Sequence, residues 1–406
     1  NIRHEAPILG QRVRKAWRRG AQVAALNPVD WNFNFDLAKR LITAPQHLVA
    51  ELAALAQAVS ESTGKEIPGQ LQAALTASQP DDRHAAIAAM LRDGKNSLVI
   101  LGQSALAHGQ AAWLRQLSVW IAGATGAALN VISHGGNATG AARAGALPGR
   151  GPGGSETESG LHVRGMLESP GKAFLLWDLE PAYDFANPAL ARQALAVAET
   201  VVAVASFAGD DLKDCADIIL PLAPAAESEG LFYSYDGQAF ATEPAARASG
   251  IARPGWKILR RLGAELELDG FSQLDIESLR NEMLTEIGQA HPAAGETELS
   301  APDSDGDLYR VGEVAMYALD ALCRRSEYLQ QTVHAENAFV GLNPDDAGSK
   351  GLAEGFEVNV SQGGGNVTLP VRICKELPVG AVWIKGATSV GTALGDSFGP
   401  ISVEAA

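Results

Sequence analysis

Glu227 and Glu229 stand two residues apart in an acidic loop, and paired carboxylates are a common way to supply an acid and a base for proton transfer. No activated nucleophile or histidine accompanies them, so their local reading is a structural loop. Residues 135–154 are rich in glycine, which lets backbone N–H groups approach an anion. Gly149 and Gly151 follow Pro148, however, and are not seated between a strand and a helix as a dinucleotide fingerprint requires. Ser62-Thr63-Gly64-Lys65 has Val59 where a P-loop needs glycine, and Glu66 where it needs serine or threonine, which leaves an ordinary loop between helices. The 8 histidines are scattered, none standing three to five residues from another. Cys215, Cys323 and Cys374 form no Cys-x-x-Cys, so no iron–sulfur or zinc framework is readable. No catalytic, cofactor-binding or metal-ligating residue is assigned from these patterns.

The chain that must position these groups has 406 residues, 46% hydrophobic and 19% charged, enough to bury a core in two or three domains. Its net charge of −15 argues against nucleic acid or an anionic membrane surface as a general partner. No apolar run approaches the ~18–20 residues of a membrane span, so no direct membrane insertion is expected, and no signal peptide is visible. The cysteine usage fits reduced thiols.

Pro7 opens a helical pattern whose apolar Ile8, Leu9, Val13, Ala16 and Trp17 predict a buried stripe. Arg12, Arg14, Lys15, Arg18 and Arg19 crowd the same segment, either a solvated face or a surface for an acidic partner. Residues 21–26 follow as a strand. A helix ahead of the first strand predicts that the strand opening this α/β unit is missing from the sequence. Residues 46–60 and 70–91 read as helices, 97–101 as a strand, and the next helix turns Ala112, Trp113, Leu117, Trp120 and Ile121 inward. Residues 133–154 read as a long loop. Strands at 172–177 and 200–205 flank a helix at 187–198, and residues 216–220 read as a strand buried on both faces. Asp236-Gly237 predicts a tight hairpin turn. Such alternation predicts a doubly wound α/β arrangement of parallel strands. The domains expected are 1–155, 156–290 and, after an acidic linker at 291–308, a small β-barrel at 309–406 that begins with a helix around 312–325.

The stretch from Asp214 to Phe240 resembles a signature of the molybdopterin oxidoreductase superfamily. Ala216, Asp217, Leu220, Pro221, Glu227, Gly230 and Gly237 match it; Ser234 and Asp236 stand where Asn and Glu are usual. Leu231 and Gln238 depart from it, standing in place of Thr and Arg. The opening residues 1–7 are most similar to the large iron–sulfur subunit family of respiratory NADH:quinone oxidoreductase (complex I). Residues 342–347, Gly351, Leu352 and Gly355 resemble the C-terminal barrel of the superfamily, and Asn137–Ala141 the loop lining its pterin cleft.

This resemblance implies a non-catalytic structural and assembly piece of an enzyme that carries electrons from NADH toward quinone. It implies no cofactor in this chain and iron–sulfur clusters in a missing N-terminal half. Other peripheral-arm subunits of complex I would be its partners, on the cytoplasmic side of a bacterial inner membrane. The rival expectation is a fragment of an active pterin enzyme such as a formate dehydrogenase. Asp178, Glu180, Asp210 and Asp211 follow the strands where an α/β sheet binds ligand, and would repel the phosphates of a pterin dinucleotide. They predict an empty cleft.

Overall fold

Short aliphatic runs alternating with Ala- and Leu-rich helical runs make parallel strands, because a parallel neighbour can be reached only through a crossover. The computed structural model describes residues 1–289, 299, 306–332, 335 and 338–406. Its contacts gather into two compact units, Asn1–Ser133 with Thr297–Ala406, and His134–Glu296. This grouping does not follow the sequence boundaries: it divides the chain after Ser133 rather than after residue 155, and the C-terminal sheet belongs with the first 133 residues. The expected linker at 291–308 lies mostly outside the described residues.

In the first unit, helix Pro7–Trp17 precedes β1 (Ala24–Asn27) and β2 (Lys39–Ile42), which pair in parallel. Helices Leu48–Thr63, Asp82–Asp93 and Ala111–Thr125 pack on one another, with Leu52, Val59, Ile87, Trp113, Leu117 and Ile121 in their common core. β3 (Leu98–Leu101) and β4 (Ala128–Val131) form a second parallel pair. Ser62, Thr63 and Gly64 end a helix, where the Thr63 hydroxyl donates to the Val59 carbonyl at 2.7 Å. A helix C-terminus presents carbonyls, the wrong pole for phosphate. The stripe predicted on helix Pro7–Trp17 is not buried: Gly10 alone is, and Ile8 is 76% exposed.

In the second unit β5 (Ala173–Trp177), β6 (Thr200–Ala205) and β7 (Ile218–Pro221) form a parallel sheet with β6 at its centre. The Val201–Ala205 run supplies the strand buried on both faces. The run at 216–220, expected in that role, is instead an edge strand with Ile218 50% exposed. β8 (Gly230–Tyr233) and β9 (Ala239–Thr242) form the antiparallel hairpin, whose turn needs Gly237 at φ +82°. The stretch at 133–154 is not all loop, since Ala138–Arg143 is helical.

The C-terminal part of the first unit is one mixed sheet of β10 (Tyr309–Val311), β11 (Val340–Leu342), β12 (Glu357–Gln362), β13 (Gly365–Ile373), β14 (Ala381–Trp383) and β15 (Ser402–Ala405), in the order β10-β14-β11-β13-β12-β15. Arg310 N–H donates to the Gly399 carbonyl and Ile401 N–H to the Leu308 carbonyl, so the two outer strands are drawn together and the sheet curls into a half-barrel. The helix expected around 312–325 reduces to one turn at Ala321–Arg324. Ahead of it, Ala315 N–H pairs with Gly386 C=O and Gly386 N–H with Glu313 C=O, so long-range pairing overrides helix propensity.

Arg310 is 1% exposed at the heart of this sheet. Its guanidinium donates to the carbonyls of Ile384, Lys385 and Gly395 and to Gln362 Oε1, at 3.0 to 3.4 Å. Burial pulls its pKa down to about 10, against the attraction of Asp396, so it stays charged at neutral pH. Replacing Arg310 by Met strands these acceptors in the core and is expected to cost about 3 kcal/mol or more. Urea unfolding monitored by tryptophan fluorescence checks this; a midpoint unchanged in Arg310→Met would show that the network contributes nothing.

Candidate functional site

The carboxyl ends of β5, β6 and β7 are where a parallel sheet offers ligand a crevice. Asp178 follows β5 directly. Its N–H extends the ladder to the Val204 carbonyl at 2.7 Å, and its backbone sits at φ +47°. That left-handed conformation favours glycine, but aspartate tolerates it when its side chain bonds locally. Here Asp178 Oδ1 accepts the Ser206 N–H at 3.0 Å, just past the end of β6.

Asp211 Oδ2 accepts the Ala182 N–H at 3.2 Å, and Asp184 Oδ2 accepts the Glu180 N–H at 2.7 Å. Glu180 itself is buried, and Asp210 pairs with Lys213 at 3.4 Å on the surface. Three amides at the strand ends (Ser206, Ala182 and Glu180) are thus already bonded to carboxylates of the chain itself. A phosphate needs such amides free, and needs cations rather than acids around them. The residues present do not fit a pterin dinucleotide at this crevice.

Sequence alone could not reveal these pairings. Asp178 and Ser206 lie 28 residues apart, Asp211 and Ala182 29. Asp184 carried no motif that would single it out.

The glycine loop is likewise engaged with itself. Gly151 N–H donates to the Ser155 carbonyl and Gly154 N–H to that of Gly151, while Arg150 bridges to Leu147 and Glu156. Asn137, in the stretch that resembles a cleft loop, bonds to the hairpin. Its Nδ2 donates to the Leu231 carbonyl at 2.9 Å and its Oδ1 accepts the Tyr233 N–H at 2.9 Å. The Arg143 guanidinium lies 5.0 Å over the Tyr233 ring.

Glu227 and Glu229 are not brought together on a common proton path. Glu227 accepts the Ser249 N–H at 3.0 Å, and Glu229 accepts the Trp256 indole N–H at 2.8 Å with Lys257 3.9 Å away. Sequence reasoning missed Arg280, which closes the open end of the hairpin by donating to the carbonyls of Gly230 and Thr242 at 3.0 and 2.6 Å.

Cys215 and Cys323 are half-buried and Cys374 is buried, all as free thiols. Burial raises the pKa of each, to about 11 at Cys374, which keeps them protonated and poor ligands. Among the described residues no three His, Cys, Asp or Glu side chains gather as a metal site.

The family profile described as molybdopterin oxidoreductase matches residues 1–265. The G subunit of NADH-quinone oxidoreductase from Mycobacterium bovis is 27% identical over 296 residues, covering 65% of this chain and 36% of that protein. The NADH-ubiquinone oxidoreductase 78 kDa subunit, mitochondrial, of Neurospora crassa is 26% identical over 318 residues, covering 77% of this chain and 35% of that one. The chain therefore spans about a third of the length of the curated relatives it matches. Among solved structures, acetylene hydratase from Pelobacter acetylenicus superposes with a TM-score of 0.65 at 13% identity, over 97% of this chain and 75% of that one. At that identity the likeness is one of fold.

Burial pushes the Glu229 carboxyl up, but the Trp256 indole, its own backbone N–H, Lys257 and Arg280 outweigh it and hold the group below the ordinary glutamate value. A depressed folded value means that the carboxylate's stabilisation is complete above the unfolded value and is lost as pH falls through the folded one. The second unit should therefore weaken on acidification below the ordinary glutamate range. Glu229→Gln should be less stable at neutral pH and show a flatter acid limb in melts at stepped pH. Parallel limbs for the two proteins would refute the assignment.

Proposed function

Because the chain belongs to the molybdopterin oxidoreductase family and is similar to the G subunit of NADH-quinone oxidoreductase, we propose that it is the pterin-enzyme-like part of a large iron–sulfur subunit of an NADH:quinone oxidoreductase. In this reading it is a structural and assembly mass without a redox centre of its own. Electrons from NADH pass toward quinone through iron–sulfur clusters held elsewhere in the subunit, and the cleft holds no pterin. The partners are the other subunits of the peripheral arm, on the cytoplasmic side of a bacterial inner membrane.

The observation that carries the reading is the carboxylate occupation of the strand-end amides by Asp178, Asp184 and Asp211. A negative ligand set down there would have to displace these carboxylates or lie against them, and like charges at close range in a partly desolvated crevice repel strongly. No described helix is long and apolar enough to cross a membrane, which agrees with attachment through partners. The chain, produced in a host that makes the pterin dinucleotide and purified without chelators, should carry molybdenum and pterin far below one per chain. Near-equimolar amounts of both would overturn the empty-cleft reading.

Docking to a partner draws on the basic helix. Arg12, Lys15 and Arg19 gather at one surface recess, while Arg14 donates to the Asn34 carbonyl at 3.1 Å. Such a patch on a chain of net charge −15 suits an acidic neighbour, with an attraction that salt weakens. Exchanging Arg12 and Arg19 together for Glu should leave the melt of the chain within about 1 kcal/mol, as for other exposed charges, and should reduce co-purification with peripheral-arm subunits. Unchanged co-purification would return the patch to a solvated surface.

A further inference from the structure

The two parallel pairs of the first unit each leave one strand edge unpaired, and both edges line a single cavity. Ala38 N–H donates to the Val23 carbonyl and Thr43 N–H to that of Asn27, so residues 23, 25 and 27 aim their amide groups at β2. Ala128 N–H donates to the Ser97 carbonyl and Ile132 N–H to that of Leu101, which sets residues 97, 99 and 101 toward β4. Ala24 and Leu26 on β1, and Leu98 and Ile100 on β3, therefore direct their N–H and C=O groups the other way. That way lies a cavity of about 1220 Å³ lined by both strands. Among the described residues these four have no backbone partner on that side. Strand edges without partners are a template for another strand.

The two open edges run in the same direction. Ala21 and Asn96, just ahead of β1 and β3, adjoin one recess beside the end of helix Pro7–Trp17. Asn27 and Gly102, at the far ends, line the cavity with Asn1 and Glu5, and Gln103 N–H donates to Glu5 Oε2 at 3.0 Å. The helix thus returns along the strands from their finish to their start, with Val13 and Ala16 on the cavity wall. That is the course of a crossover between two adjacent parallel strands.

We propose that this gap takes a further strand: an extended apolar segment of polypeptide, parallel to β1 and β3, whose C-terminal end joins Asn1. It would unite the two pairs into one five-stranded sheet. Its backbone would satisfy Ala24 and Leu26 on one side and Leu98 and Ile100 on the other. Its side chains would cover Val13 and Ala16, which accounts for the failure of that helix to bury its apolar stripe. Nothing in this depends on whether the crevice of the second unit holds a cofactor.

The test compares the chain extended ahead of Asn1 by a short run of Val and Ile with one extended by Gly and Ser to equal length. Hydrogen exchange in segments Ala24–Asn27 and Leu98–Leu101 is the readout, with size-exclusion to establish that both proteins are monomers. The apolar extension should slow exchange in both strands about tenfold or more, and raise the thermal midpoint. Proline at the centre of the apolar run, which removes a ladder donor, should abolish the protection. Equal exchange in the two extended chains, protection of one strand alone, or protection that survives the proline would overturn the proposal.

Discussion

A buried backbone donor or acceptor must find a partner, and in this chain side chains supply many of them over long sequence distances. The curled C-terminal sheet leaves carbonyls of Ile384, Lys385 and Gly395 pointing inward, and one guanidinium answers all of them. A lysine could not, since its donors lack the planar fork that reaches several acceptors at once. The hairpin repeats the device at both ends. Arg280 bonds to carbonyls of both strands at its open end, and Asn137 fills one donor and one acceptor position along β8. Side chains here do the work of a missing neighbouring strand.

The same constraint decides the chemistry of the strand ends. Amides past the carboxyl ends of a parallel sheet point into the crevice and attract whatever anion is nearest. With Asp178, Asp184 and Asp211 a few ångströms away, the nearest anions belong to the chain. The fold shared with acetylene hydratase sets the strands and helices, and the side chains that follow them decide what these amides bond. Such bonding asks only for short acids at positions whose φ or spacing lets them turn back.

Much of this architecture was legible in the sequence, where period and composition act locally. The strands at 98–101, 173–177 and 200–205, the intervening helices and the turn at Gly237 follow from aliphatic runs, Ala-rich stretches and one glycine. Asp178 and Asp211 could also be named as acids of the cleft, though not their hydrogen-bond partners, and Asp184 could not. What failed was decided by neighbours far along the chain. Ile218–Pro221 has the composition of a central strand, yet edge or centre is settled by whether a second strand pairs beyond it, and composition carries no trace of that. Residues 312–325 contain good helix formers, but Glu313 and Ala315 pair with Gly386, about seventy residues away. Arg280 carries no local signal because its carbonyl partners lie 38 and 50 residues earlier.

The internal carboxylates also bear on stability. A relative that binds a ligand in its crevice gains stability in proportion to the logarithm of ligand concentration over the dissociation constant, and loses it when the ligand is absent. Amides left bare by that loss must be solvated or paired. Aspartates supply the pairing permanently and at an effective concentration no diffusing ligand matches. The cost is electrostatic, because several acids crowd one end of a small sheet on a chain already at −15. Charge-assisted bonds to amides, roughly twice as strong as neutral ones, offset that crowding. The sheet thus carries its own anions for these amides, where a protein that relies on a bound ligand depends on its supply.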